Sequence, residues 1–332
     1  MTRQRSLCRT IPGCAPARID EVQLDVYGVV SELAHGGTST VYLGQHVATG
    51  ERVAIKALDA FYVGHSEMVH RLLGEYELAQ RVRHPGLLEI RCADQTSNGI
   101  PYVVMEYLDG ESLGALIARA PLPIAAILAI AAQIASAVGA LHAAGVVHCD
   151  VKPENVFVLH GPGPGGAPRV KVIDYGVARL ADSPLCENTV VGTPAFMAPE
   201  QWHGAPTTKS DVYSLGCVLY ELVTGEPLFS GALPQLMTAH CERLPQRPSV
   251  RCPDLDPELE RLIVRMLAKD PVLRPTMVEL SAALLTLGEP SSSACLPAPR
   301  APHPPAHATR SRLRDSFGEV SEGFARRLEA LG

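Results

Sequence analysis

The stretch Val147-His148-Cys149-Asp150-Val151-Lys152-Pro153-Glu154-Asn155-Val156 sets an acid, a base and an amide within six positions, straight after a long apolar segment and straight before an apolar strand, Val156–Leu159. A second apolar strand, residues 170–173, then delivers Asp174-Tyr175-Gly176. Each strand-flanked loop carries a carboxylate, and Asn155 lies close to the first. Hard oxygen donors grouped in this way suit Mg2+, which takes one or two protein carboxylates and keeps several waters. Surface loops rich in Asp are common, so either half alone would be ambiguous. The two together, in this order, point to a metal site.

Upstream, Val53-Ala54-Ile55-Lys56 reads as a strand whose alternation puts Ala54 and Lys56 on one face and Val53 and Ile55 on the other. A small residue beside the lysine admits a flat ligand, whereas an edge-strand lysine reaching to solvent is the plainer alternative. The following helix decides between them. Met68, Leu72, Glu75, Ala79 and Val82 recur at spacings of four, three, four and three, an inward stripe with Glu75 at its centre. A carboxylate there is costly unless an opposite charge meets it. Lys56 is the nearest lysine in sequence, and no other occurs before residue 152. Before the strand, Leu33-Ala34-His35-Gly36-Gly37-Thr38-Ser39-Thr40-Val41-Tyr42 reads as a hairpin turn of small residues whose backbone N–H groups can approach an anion. Taken alone it is a weak signal, and it matches neither a dinucleotide fingerprint nor a Walker A loop.

Outward from these motifs, the chain divides into an irregular, flexible arm (1–26), a unit of short strands with one helix (27–105), a connector (106–111) and a helical unit (112–287). Expected strands are 27–33, 40–46, 52–58, 87–92 and 102–105, and expected helices are 112–119, 124–144, 209–224, 234–242, 257–268 and 276–287. Residues 288–311, rich in Pro, Ala and Ser, read as a linker. In 312–332, Leu313, Phe317, Val320, Phe324 and Leu328 form one stripe of an amphipathic helix that could dock on a protein partner.

The 332 residues carry 29 Lys+Arg against 35 Asp+Glu, a net charge of −6 that argues against a nucleic-acid binder. Nine cysteines, an odd number with no Cys-x-x-Cys pair, read as free thiols in a reducing cytosol. Arg3, Arg5, Arg9, Arg18, Asp20 and Glu21 break up any leader-like apolar run near the N-terminus. Residues 123–147 reach membrane-spanning length, but their Ala and Gly content, the lack of an aromatic belt and the polar segment that follows favour a buried core helix. The expectation is therefore a cytoplasmic chain with no transmembrane span. His240, Cys241 and Cys252 fit no structural zinc spacing. Only five basic residues are lysines, at 56, 152, 171, 209 and 269.

In order along the chain, the phosphate-type turn, Val-Ala-Ile-Lys, the helix Glu, His-x-Asp-x-Lys-Pro-x-x-Asn, Asp-x-Gly, Gly192 to Glu200, Ser210 to Gly216, and Asp270-Pro271 with Arg274-Pro275 resemble the eukaryotic-type Ser/Thr protein kinases of bacteria. The resemblance runs from about residue 27 to 287. It implies an α+β, two-lobed fold with an antiparallel-sheet N-lobe plus one helix and a larger helical C-lobe. It further implies transfer of the γ-phosphoryl group of MgATP to Ser/Thr hydroxyls of protein substrates, with ATP and Mg2+ as cofactors.

Residue by residue, the resemblance makes Lys56, paired with Glu75, the holder of the α and β phosphates, and Asp150 the acceptor of the substrate proton. Asn155 and Asp174 become Mg2+ ligands and Lys152 balances γ-phosphoryl charge. Ala34, Gly36, Ser39 and Val41 would cover the nucleotide. Ala54, Met105, Glu106 and Leu108 would frame the adenine. Thr193 would contact Asp150 and Lys152, Glu200 would pair with Arg274, and Asp211 would brace the catalytic loop. Thr189 is the favoured autophosphorylation site, with Ser183 also in the loop.

Ala34 and Ser39 stand where the family has glycine, which bears on loop flexibility and nucleotide affinity. Cys149 replaces the arginine that commonly binds an activation-loop phosphate, so activity is expected not to depend on loop phosphorylation. Tyr175 replaces a Phe, and Ala79 is smaller than usual one turn after the helix Glu. The competing readings are a pseudokinase scaffold that binds nucleotide or a partner without catalysis, and a small-molecule phosphotransferase. Lys152 and the segment from Gly192 to Glu200 argue against the latter.

Overall fold

The computed structural model describes residues 24, 26–161, 163, 166–175, 178–180 and 191–288. Most of the N-terminal arm, Gly176, Ser183, Thr189, residues 289–311 of the linker and the 312–332 segment lie outside the described residues.

Five strands, β1 (Tyr27–His35), β2 (Ser39–His46), β3 (Arg52–Leu58), β4 (Ile90–Gln95) and β5 (Pro101–Glu106), form an antiparallel sheet in the order β1-β2-β3-β5-β4. Gly50 and Gly99 take positive φ in the turns that follow β2 and β4. Alternation along β3 sorts its side chains as expected. Val53, Ile55 and Ala57 bury against Tyr42, Tyr102 and Val104 on the outer face. Ala54, Lys56 and Leu58 therefore point to the opposite face, toward α1 (Ser66–Ala79), whose Leu72, Glu75 and Ala79 are buried.

One strand differs from expectation. Instead of running over 87–92, β4 starts at Ile90, and Leu87 bridges Val172 in parallel while Leu88 N donates to Val172 O at 3.0 Å. Leu87 and Leu88 are taken up by the C-lobe, a long-range choice that a period-two pattern does not register.

The lobes join through residues 107–109. The C-lobe contains β6 (Gly110–Ser112), α2 (Leu113–Arg119), α3 (Ile124–Ala143), β7 (Val146–Val147), β8 (Val156–Leu159), β9 (Arg169–Val172) and β10 (Arg179–Leu180). These are followed by α4 (Pro199–Trp202), α5 (Thr208–Thr224), α6 (Leu233–Glu242), α7 (Pro257–Met266) and α8 (Met277–Gly288). Strands β6, β8 and β9 form one small sheet and β7 pairs with β10. Helix α8 takes in Gly288, the first residue assigned to the linker.

Helix α3 is long and apolar enough to cross a membrane, yet Ile127, Ile130, Ile134, Ala135, Val138 and Leu141 are fully enclosed within the main hydrophobic cluster. Each of these isoleucine, valine and leucine side chains contributes roughly 1.5–3 kcal/mol by leaving water. Helix α5 is buried along nearly its whole length. Thr207 and Ser210 cap its start reciprocally, and Gly225 in the left-handed region ends it. That rigid helix is the post on which the loop between β7 and β8 is mounted.

Candidate active site

Strand β3 and helix α1 bring Lys56 and Glu75 together: the ammonium lies 2.7 Å from both carboxylate oxygens, and 3.5 Å from Asp174 Oδ1. Burial by itself would lower the Lys56 ammonium, but the charges of Glu75 and Asp174 outweigh it and hold the group above its ordinary value. Burial also raises the Glu75 carboxyl, against the pull of Lys56. The inward carboxylate that the helix stripe isolated has found the lysine expected of it. Removing Lys56 would leave Glu75 as a buried unpaired charge, a cost of about 3–5 kcal/mol.

In the loop between β7 and β8, Asp150 is clasped on every side. Its Oδ1 accepts from Thr193 N at 2.8 Å, and its Oδ2 accepts from Lys152 Nζ at 2.6 Å and Asn155 Nδ2 at 3.1 Å. Lys152 Nζ also donates to Thr193 Oγ1 at 2.6 Å. Asn155 Nδ2 donates further to Asp150 O at 2.9 Å, so its amide nitrogen is spent on the loop and its Oδ1 remains the acceptor. Asn155 and Asp174 face one cavity, and their amide and carboxylate oxygens form a donor set that fits Mg2+. Asp174 itself sits at φ +69, a left-handed conformation uncommon outside glycine.

The loop is supported from beneath. Asp211, fully enclosed in the first turn of α5, accepts from His148 N at 2.9 Å, from Cys149 N at 2.8 Å and from His142 Nε2 at 2.8 Å. Cys149 is buried at φ +66, the second non-glycine residue in the left-handed region among those described. Its carbonyl accepts from Gln201 Nε2 at 2.9 Å, and the same amide donates to Val191 O at 3.2 Å. Farther down, Arg274 grips both oxygens of Glu200 at 2.6 and 2.9 Å. It also donates to the carbonyls of Ala268, Lys209 and Lys269.

A cavity of about 400 Å3 between the lobes is lined by Ala34, Gly36, Ser39, Val41, Lys56, Glu75, Met105, Asn155, Asp174 and Tyr175, among others. Ala54, Glu106 and Leu108 do not line it. Ala54 is buried on the Lys56 face of β3. Glu106 turns away, accepting from Lys171 Nζ at 2.5 Å and Glu89 N at 2.8 Å. Leu108 packs on the main core. Gln201, His142 and Lys171 were not singled out by the sequence. Gln201 follows Glu200 in the motif, but nothing local shows that its amide bridges two distant carbonyls.

Residues 27–284 match the protein kinase domain, and the chain belongs to that family. It is 39% identical over 272 residues to the serine/threonine-protein kinase Pkn1 of Myxococcus xanthus, covering 78% of this chain and 38% of Pkn1. To the serine/threonine-protein kinase PkaA of Streptomyces coelicolor it is 38% identical over 281 residues, covering 79% of this chain and 50% of PkaA. The chain thus spans half or less of the length of these two relatives. Among solved structures, a double mutant of the Mycobacterium tuberculosis PknI kinase domain superposes with a TM-score of 0.63 at 27% identity, covering 82% of this chain and 99% of that one.

Proposed function

We propose that this chain is an ATP-dependent Ser/Thr protein kinase. The observation that carries the reading is the closed set around Asp150. A carboxylate with both oxygens engaged, a lysine shared with Thr193, and an asparagine oxygen and Asp174 on one cavity form a complete phosphoryl-transfer constellation.

In the proposed step the substrate hydroxyl oxygen bonds to Pγ, the bond between Pγ and the bridging oxygen breaks, and ADP carries away the electron pair. Asp150 receives the hydroxyl proton. Lys56, held by Glu75, fixes the α and β phosphates, and Lys152 offsets charge on the moving phosphoryl group. When bound, Mg2+ held by Asn155 and Asp174 supplies charge neutralisation. The protein contributes alignment above all, since a phosphoryl transfer leaves little covalent work to side chains.

Thr193 ties the segment that precedes Glu200 to Lys152, which supports a protein hydroxyl rather than a small molecule as acceptor. With Cys149 in place of a basic residue, Gln201 joins the catalytic loop to Val191 through two carbonyls. That bridge supports activity without loop phosphorylation, and a large loss of turnover in a Ser183→Ala, Thr189→Ala double variant would count against it. The need for ATP supports a cytoplasmic location. A partner for the 312–332 segment has only its sequence stripe in support.

The test is incubation with γ-labelled ATP, Mg2+ and a generic protein acceptor, with Asp150→Asn alongside. Label on Ser or Thr from the wild-type chain and none from the variant is expected. ATP binding without transfer would establish the scaffold reading instead.

A further inference from the structure

The phosphate hairpin lacks two of the three glycines of its family, yet it is held at its tip by a chain of side chains that none of the roles above uses. Thr40, which is buried, donates its hydroxyl hydrogen to Asp59 Oδ1 at 2.9 Å. Its oxygen must therefore accept from His35 Nδ1, 2.8 Å away, so His35 carries a proton on Nδ1. Asp59 also pins the backbone, its N–H donating to Thr38 O at 2.9 Å, and Gly36 N closes the turn on Ser39 O at 2.8 Å. The relay Asp59–Thr40–His35 thus fixes the ring and the loop together.

His35 is exposed and lines the cavity that Gly36, Lys56 and Asp174 share. Nε2 has no hydrogen-bond partner among the described residues. We propose that His35 is a phosphate ligand of the bound nucleotide. In the nucleotide complex the ring carries a proton on each nitrogen, Nδ1–H still held by Thr40 and Nε2–H donated to a phosphate oxygen. The charged groups that face the site are Asp59 at the exit of β3 and Lys56, Arg71, Glu75 and Asp174 across the cavity. The relay takes over what glycine backbone does elsewhere: it shapes the hairpin by bracing and supplies a charge-assisted donor at its tip. This inference rests on the kinase reading, because it requires a nucleotide in the cavity.

Calorimetric titration of the full chain with ADP and with adenosine, each in two buffers of different ionisation enthalpy, tests it. For wild type, ADP binding is expected to take up a fraction of a proton, and adenosine binding none. His35→Ala is expected to weaken ADP about tenfold, to leave adenosine unchanged and to abolish the proton uptake. Thr40→Val is expected to weaken ADP less, and to cost nothing further when added to His35→Ala, since both act through one ring. Unchanged ADP affinity in His35→Ala, equal losses for ADP and adenosine, or proton uptake that survives the substitution would overturn the assignment. A wild-type chain that binds neither ligand would overturn the kinase reading itself.

Discussion

Replacing Asp211 with Asn is the most exacting probe of how α5 supports the loop that carries Asp150. The carboxylate uses both oxygens: Oδ1 for Cys149 N, and Oδ2 for His148 N and His142 Nε2. An amide of the same shape has one acceptor. If its oxygen meets Cys149, its NH2 meets the His148 N–H, donor against donor. His142 can switch tautomer and accept, but a backbone N–H cannot. Flipping the amide only moves the orphan to Cys149. One buried N–H is therefore left unpaired in either orientation, at about 1–3 kcal/mol, and a charge-assisted bond of similar size is lost with it, so about 2–6 kcal/mol in total. That is a large part of a typical stability of about 5–15 kcal/mol.

The same N–H groups hold Cys149 at φ +66, directly before Asp150, so loosening them also displaces the proposed proton acceptor. A shift of about 1 Å there is worth on the order of 100-fold in turnover. Urea unfolding and phosphoryl-transfer assays on Asp211→Asn read the two effects. Asp109→Asn, an exposed carboxylate paired with His160 on the surface, is the control and should change neither. Native stability together with native turnover in Asp211→Asn would refute the idea that α5 positions the loop.

Three further outcomes follow from the same geometry. Gly192 lies at φ +119 with the place of a Cβ only 2.8 Å from Cys149 O, so Gly192→Ala should cost about 1–3 kcal/mol in urea unfolding and lower turnover more than it lowers ATP affinity. Glu200→Gln leaves Arg274, whose side chain is fully enclosed, without a counter-charge, and should cost about 3–5 kcal/mol; adding Arg274→Met should recover part of that, and no recovery would show that the clamp is not electrostatic. His240 is buried against Tyr213 and Phe229, and burial lowers its imidazole from 6.5 to about 4. Between those values the unfolded chain binds a proton that the folded chain does not, so stability is full above pH 6.5 and falls as pH drops toward 4. The loss from pH 7 to pH 5 should be about 2 kcal/mol by chemical unfolding, and a slope that is no flatter in His240→Phe would exclude His240 as its source.

What the sequence revealed follows from where each signal resides. Lys56 and Glu75 were legible because a charge on an apolar stripe is expensive and must be answered, and few lysines are available to answer it. Asp150, Asn155 and Asp174 were legible because a loop between two strands compresses them into short, typed motifs. Gln201, His142 and the turn of Glu106 toward Lys171 were not, because their meaning lies in partners 10 to 69 positions away. The reassignment of Leu87 and Leu88 belongs to the same class. Their apolar alternation fits either lobe, and only the proximity of Val172 decides. The Asp59–Thr40–His35 relay joins both kinds: His35 and Thr40 stand together in the hairpin, but Asp59 lies 19 positions on, at the exit of β3, and the direction of each hydrogen bond needs coordinates.

The five lysines show what this composition selects. Against a background of arginine, each ammonium is directed into the molecule: Lys56 to Glu75, Lys152 to Asp150 and Thr193, Lys171 to Glu106 and Leu87 O, Lys209 to Arg274 O, and Lys269 to the carbonyls of Ala239 and His240. In most of these sites two or more acceptors converge on a point. A compact ammonium with three rotatable donors satisfies such a point, whereas a planar guanidinium needs acceptors laid out in its own plane, as Glu200 is for Arg274. The five lysines therefore mark sites where shape as well as charge is used, and in two of them, Lys56 and Lys152, that shape is the one the proposed phosphoryl transfer requires.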